Sequence, residues 1–266
     1  MGRMYHQNLG YTQVVKMAET FRNFELLVTD YPFAKHEAVA VVNSDGVPPS
    51  YGPDGKISYE AFLDWADEDT HAEWVDGVIS MTSPASYKHQ DALSFLVSLL
   101  RLFTEASDLG KVLPAGYQMK LSAGGAGREP DVLFITKAHL NRITPNYLDG
   151  PADLAIELVS PGTYHQARDR KDKFAEYARG GVLEYWIIDP EQKQAEFYHL
   201  DPNKKYQSIL PDAEGKVFSE VVSGFWFKTE WLWRKPLPPV QKVLRKVGGA
   251  TYEAYLKRQA LEDDEL

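Results

Sequence analysis

Apolar residues in this chain gather in short runs punctuated by Pro and Gly, and the period of each run assigns it to a strand or a helix. His89 to Thr104 contains Ala92, Leu93, Leu96, Val97, Leu99, Leu100 and Phe103. Nearly every face of such a helix is apolar, which predicts burial against a sheet. Tyr59 to Trp65 predicts a short helix capped by Ser58, with Glu60 or Ala61 in its first turn. Glu73 to Met81 reads as a strand that turns at Asp76-Gly77. Val112 to Leu121 and Pro130 to Ile135 read as strands joined by a hairpin-like loop from Ser122 to Arg128. That loop is glycine-rich, but no GKS or GKT follows it and no helix begins there, so it is not a phosphate loop.

Leu154 to Val159 is a continuous apolar run ended by Ser160-Pro161, and a helix is predicted from Ala167 to a C-cap at Gly180-Gly181. Glu184 to Ile188 and Ala195 to Leu200 read as a strand pair, and Val217 to Phe227 as a last one. Tyr185, Trp186, Phe197 and Tyr198 within them could stack on nucleic-acid bases, although core or dimer contacts are the commoner use of such aromatics. Residues 1–56 read as an N-terminal extension, with helical content from Val14 to Leu27 and a Pro/Gly-rich linker from Val47 to Gly55. Residues 57–232 read as the main domain. Pro236 to Pro239 then introduces a C-terminal helical extension, 233–266, interrupted at Gly248-Gly249 and ending in an acidic tail. No internal repeat is evident.

Two of the apolar runs carry a carboxylate where a buried strand has none to spare: Asp131 in Arg128-Glu129-Pro130-Asp131-Val132-Leu133-Phe134-Ile135, and Glu157 in Leu154-Ala155-Ile156-Glu157-Leu158-Val159. Either acid alone is most simply a solvated strand end or a cap. Together they mean more. Adjacent strands lie about 4.7 to 4.9 Å apart, so paired strands could aim both carboxylates at one cation. Like charges in an apolar setting repel unless a cation or proton lies between them, and hard oxygen ligands suit Mg²⁺ or Mn²⁺.

Next comes Arg168-Asp169-Arg170-Lys171-Asp172-Lys173-Phe174-Ala175-Glu176-Tyr177-Ala178-Arg179, with Phe174, Tyr177 and Ala178 at helical spacing and Lys173 on the border of that stripe. Lys173 could lean over the sheet edge, or form an exposed ion pair with Asp169 four residues earlier.

Composition narrows the class. With 266 residues, 44% of them hydrophobic, the chain can bury a sizeable core. There is no cysteine, which excludes disulfides, thiolate zinc sites and a cysteine nucleophile, and suits a reducing cytoplasm. Neither a signal peptide nor a membrane-length apolar run is present, so a soluble protein without membrane association is expected. A net charge of −9 argues against general nucleic-acid affinity, since phosphate contacts require Lys and Arg. It leaves room for a focused site, and Arg168, Arg170, Lys171 and Lys173 form the densest basic cluster.

The chain resembles the PD-(D/E)xK nuclease superfamily and, within it, the bacterial family of presumed restriction endonucleases of unknown substrate. The resemblance rests on Glu73 and Gly77 in Glu-Trp-Val-Asp-Gly-Val-Ile, Ser83-Pro84, His89 and Pro130-Asp131, then Glu157 with Ser160-Pro161, Asp169, Lys173 and Tyr177, and finally Gly181 to Pro190. It runs from about Ile57 to Phe227, and the order and spacing of the motifs carry more weight than any one of them. It implies an α/β fold of mixed α+β type, a restriction-endonuclease-like central mixed β-sheet flanked by helices.

It also implies a metal-dependent endonuclease with Asp131 and Glu157 as ligands of Mg²⁺ or Mn²⁺, DNA as the main candidate partner, and Lys173, His89 and Glu73 as further candidates. The chain departs from the superfamily pattern at Val159, two residues after Glu157, where the usual lysine stands. In the resembling family that role falls to the lysine of the following helix, here Lys173. A lone histidine at a helix start, such as His89, is more often a capping or structural group, and Glu73 could add a third metal ligand. Cutting both strands of a duplex would favour a homodimer. Two other classes remain open: a catalytically silent nuclease-fold module for binding or regulation, and a glycoside hydrolase using Asp131 and Glu157 as its carboxylate pair.

Overall fold

A computed structural model describes residues 45, 47–66, 70, 72–81, 86–121, 127–160 and 168–262. The expected helix from Val14 to Leu27, the loop tip at 122–126 and most of the acidic tail lie outside the described residues. Helix α1 (Tyr59–Trp65) begins at Ser58, whose side chain accepts the Ala61 N–H. A hairpin follows, β1 (Ala72–Val75) with β2 (Val78–Met81), antiparallel and turning at Asp76-Gly77. Helix α2 (Tyr87–Ala106) is capped by Ser86.

The expected strand from Val112 to Leu121 is two strands, β3 (Gly110–Pro114) and β4 (Gln118–Lys120), in different sheets. Pro114 cannot donate to a ladder and Gly116 adopts a φ of 98°, so the chain bends here and crosses over. The Gly116 N–H is held by the Glu129 carboxylate at 2.7 Å. Strands β5 (Gly127–Arg128) and β6 (Val132–Thr136) divide in the same way. Strands β7 (Tyr147–Asp149) and β8 (Leu154–Leu158) follow a 3₁₀ turn at Lys137–Arg142.

A π-helical turn (Arg168–Lys173) leads into α3 (Phe174–Gly180), then β9 (Glu184–Asp189), β10 (Gln194–Leu200) and β11 (Tyr206–Ser208). Short strands β12 (Val217–Phe218) and β13 (Trp226–Phe227) precede α4 (Val240–Glu262), which bends at Gly249.

The six-stranded sheet runs β11-β10-β9-β8-β6-β3, with β8 and β9 parallel and the remaining pairs antiparallel. A second sheet runs β2-β1-β5-β4-β7. Mixed sheets with flanking helices bear out the expected fold class. Side chains alternate faces along a strand, and the large sheet shows it. Val132, Phe134, Leu154, Ile156, Leu158, Trp186 and Ile188 join one core cluster with α2 and with Val243, Leu244 and Val247 of α4. Leu133, Ile135, Ala155, Val159, Tyr185 and Ile187 join another with Tyr177 of α3. Helix α4, in the stretch set apart above as an extension, therefore packs into the same core as α2. Tyr185, Trp186 and Phe197 are buried, so these aromatics serve the core.

Gly181 closes α3 in the left-handed conformation, with φ 92° and its N–H bonded to the Tyr177 carbonyl. An added Cβ would have room, its nearest neighbour being Pro151 at 3.8 Å, so the penalty of Gly181→Ala is conformational, about 1 kcal/mol. Thermal melts should register a drop of roughly 2 to 4 °C.

Candidate active site

Glu157 lies on the α3 face of β8 between Ala155 and Val159, and the register that pairs Val132 with Ile156 sets Asp131 opposite it, just ahead of β6. The two expected acids thus meet at one end of the sheet. Asp131 is partly open, its side chain 19% exposed, and its Oδ2 accepts the Leu158 N–H at 2.7 Å. Glu157 is buried, and its Oε1 accepts both the Lys173 ammonium at 2.8 Å and the Tyr177 hydroxyl at 2.7 Å. Among the described residues the hydrogen bonds to Glu157 all fall on Oε1, and those to Asp131 on Oδ2, so the other oxygen of each acid remains for a further partner.

Lys173 ends the π-helical turn, whose wider coil carries its side chain inward. The amine is buried between Glu157 and Glu73, the latter at 2.9 Å, with Asp169 at 3.9 Å. The exposed i, i+4 pair considered from sequence is instead part of a buried network. Val159, at the superfamily's usual lysine position, is packed into the apolar cluster, and Lys173 reaches Glu157 from the helix side.

Glu73 comes from β1. Its Oε1 meets Lys173, and its Oε2 meets Arg128 at 3.2 Å and Arg168 at 3.6 Å. Both oxygens are spent on protein cations, which sets Glu73 behind Lys173 as its second anchor. Arg128 also grips Glu176 through two bonds of 2.8 and 2.9 Å, the bidentate geometry that suits guanidinium. Tyr185 donates its hydroxyl to the Asp169 carbonyl and so ties down the π turn.

His89 sits one turn into α2, its backbone N–H held by Ser86. Its ring Nε2 lies 2.9 Å from the Leu158 carbonyl, so Nε2 carries a proton, and 3.6 Å from Asp131 Oδ2. Among the described residues, Nδ1 is buried without a partner. His89 thus fixes the sheet end on which Asp131 sits.

Electrostatics follow from this crowding. Among the described residues, five carboxyl groups (Glu73, Asp131, Glu157, Asp169, Glu176) crowd around three cations (Arg128, Arg168, Lys173), with His89 beside Asp131. Burial pushes Glu157 up to about 8, and its acidic neighbours Asp169, Asp131 and Glu73 add to that against the pull of Lys173. Burial likewise raises Asp169. Burial would also raise Glu73, but Lys173, Arg128 and Arg168 outweigh it and hold the acid at about 2. Burial works against the charge on Lys173, yet Glu157, Glu73 and Asp169 raise it further, so the amine stays an ammonium. Burial opposes charge on His89, and Asp131 and the Leu158 carbonyl more than offset it, raising its value.

A pH dependence follows. Glu157 moves from an ordinary 4.5 to about 8, so across that window the folded protein holds a proton that the unfolded chain has released. Stability of the metal-free protein therefore falls as pH rises from about 4.5 to about 8. The depressed Glu73 acts below this window. Melts in chelator should show Tm declining across it and a flatter profile in Glu157→Gln; a rising profile would contradict the assignment.

The donor set fits a hard divalent cation: two carboxyl groups at opposed positions of neighbouring chain segments, with one oxygen of each not engaged by the described residues. Among the described residues no three His, Asp or Glu side chains converge on one metal-binding point.

Comparison with known proteins now adds the lineage. A family model described as "Putative restriction endonuclease" matches residues 59–230. The chain belongs to this family, Uma2. Among solved structures, the Uma2 chain is similar to a "putative nuclease belonging to DUF820" from Anabaena variabilis ATCC 29413, at 17% identity and a TM-score of 0.53, over 66% of this chain and 97% of that one. At that identity the likeness concerns the fold, and it agrees with a restriction-endonuclease-like architecture. The type IIG restriction endonuclease BpuSI also aligns, at 11% identity and a TM-score of 0.30, over 67% of this chain and 18% of that one, too distant to carry an argument. No curated protein matches.

The Uma2 chain also uses residues that sequence reasoning left without a role: Arg128, Glu176 and Tyr177. Only Tyr177 carried a signal, four residues after Lys173 on the same helical face. The basic cluster departs from its expected use. Arg168 is taken by Glu73 and Asp169, Arg170 by Glu196 at 2.6 Å and Asp189 at 3.8 Å, and Lys173 is buried, while Lys171 is exposed. Most of this charge balances the protein's own acids and is not offered to phosphate. No described helix is long and apolar enough to cross a membrane.

Proposed function

We propose that this Uma2 protein is a metal-dependent nuclease that hydrolyses phosphodiester bonds in DNA, with Asp131 and Glu157 holding Mg²⁺ or Mn²⁺. The observation that carries this reading is the opposed position of those two acids, Asp131 just ahead of β6 and Glu157 in β8, each with one oxygen not engaged by the described residues. Bound there, the ion would supply Lewis acidity toward the scissile phosphate and a water of lowered pKa.

The chain's own residues then do three things. Asp131, partly open to solvent, presents the accessible face of the site, and its Oδ2 is fixed by the Leu158 N–H. Lys173, permanently cationic, orients Glu157 and lends positive charge to a phosphate whose negative charge grows in the transition state; as an ammonium it cannot be the general base. His89 steadies the end of β8 through the Leu158 carbonyl. The aqueous fraction of a bacterial lysate is where the protein should be found, and size-exclusion chromatography with and without duplex DNA tests whether it acts as a homodimer.

The burial of Lys173 between two carboxylates favours a second reading, a nuclease-fold module that binds without cutting. Supercoiled plasmid incubated with the protein in Mg²⁺, in Mn²⁺ and in chelator separates the two. The nuclease reading expects nicked and linear products in metal only; intact plasmid alongside measurable DNA binding would select the module.

A further inference from the structure

The Glu157 carboxylate is held by two donors from one helical face, and the second of them has no counterpart in the roles assigned so far. Tyr177 lies four residues after Lys173, so the two side chains rise one above the other from the π turn and α3. Both end on the same atom, Glu157 Oε1, the ammonium at 2.8 Å and the phenol at 2.7 Å.

The phenol is rigid. Its ring is fully buried, meets Tyr185 edge-on at 4.9 Å, and lies in the apolar cluster beneath β8 and β9. A carboxylate with one oxygen fixed by two donors cannot rotate, and its other oxygen must point in one direction. The opposed position, just ahead of β6, belongs to Asp131, which is fixed in its turn through the Leu158 N–H.

From this geometry we infer that Tyr177 is a positioning residue for the metal site: together with Lys173 it locks Glu157 Oε1 and thereby aims Oε2 at the cation shared with Asp131. The inference rests on the metal-site reading above and adds to it a residue that touches neither ion nor substrate. Partners one step behind a ligand commonly change metal affinity by about 10- to 100-fold when removed.

Tyr177→Phe deletes only the hydroxyl. Tyr206→Phe is the matched control, because Tyr206 packs in the same aromatic group, 5.9 Å from Tyr185, and donates its hydroxyl to the Val182 carbonyl at 2.9 Å, away from the acids. Binding of Mn²⁺ to each full-length protein is measured by calorimetry, with thermal melts alongside. Tyr177→Phe should weaken Mn²⁺ binding by about tenfold or more, while Tyr206→Phe, with a similar loss of Tm, should bind as the wild type does.

Unchanged Mn²⁺ affinity in Tyr177→Phe, or an equal loss in Tyr206→Phe, overturns the positioning role and leaves the metal site standing. A wild-type protein that binds no Mn²⁺ overturns the metal site itself and this inference with it.

Discussion

Asp131→Asn and Glu157→Gln should each reduce metal-dependent DNA cleavage by about a thousandfold while leaving the fold in place. The size follows from what a metal site contributes, several kcal/mol of charge stabilisation, with each 1.36 kcal/mol worth a factor of ten. The fold should survive for reasons specific to each site. Asparagine at 131 keeps a side-chain oxygen that can accept the Leu158 N–H. Glutamine at 157 keeps an acceptor for Tyr177 and Lys173, and Lys173 retains Glu73 as counter-ion. Glutamine is neutral, as the protonated Glu157 side chain is below about pH 8, so Glu157→Gln should leave the metal-free protein as stable there. Initial rates on plasmid across a Mg²⁺ titration, with circular dichroism melts of the same samples, measure both halves. Wild-type cleavage rates in either variant would remove that acid from the site; an unfolded variant would show instead that the carboxylate is structural.

The acid pair was legible in the chain because burial of charge is rare enough to be a signal. Two carboxylates in runs such as Pro130 to Ile135 and Leu154 to Val159 have few explanations, and the pairing of Val132 with Ile156 shows the two runs side by side. The helix from His89 was equally plain, since so broad an apolar surface leaves it nowhere but against the core. What stayed hidden were features set by non-local register. Nothing local says that the chain leaves one sheet at Pro114 and joins another at Gln118, beyond a Pro and a Gly that also suit an ordinary turn.

The fate of the basic cluster was hidden for a related reason. Charges adjacent in sequence look like one surface patch, whereas the π turn sends Arg168 and Lys173 inward to Glu73 and Arg170 toward Glu196. A helix of ordinary pitch would have rotated these side chains differently, and a wider coil has no reliable mark in composition. Glu73 shows the limit most clearly. Its type and position suit a metal ligand, and only the three cations around it reveal that its oxygens are already engaged.

Above the pH of about 8 at which Glu157 ionises, Lys173→Met should cost about 3 to 5 kcal/mol of stability, the usual penalty for stranding a buried charge, and lower Tm by roughly 10 °C. Methionine fills similar volume, so the loss is electrostatic and not a cavity effect. Two acids lose their nearest cation at once, Glu157 with Arg168 acting on it from farther away and Glu73 with Arg128 and Arg168 still in ion-pair contact. The damage should therefore concentrate on Glu157, which would take up its proton at still higher pH and release the cation-binding oxygen from its fixed aim. A double-mutant cycle separates the partners. Glu157→Gln added to Lys173→Met should restore much of the lost stability, because the stranded charge is gone, whereas Glu73→Gln should restore less. Equal recovery from both would mean that Lys173 divides its charge evenly between the two acids. No recovery from either would mean that the amine contributes through packing alone, and its part in the active site would then fall away.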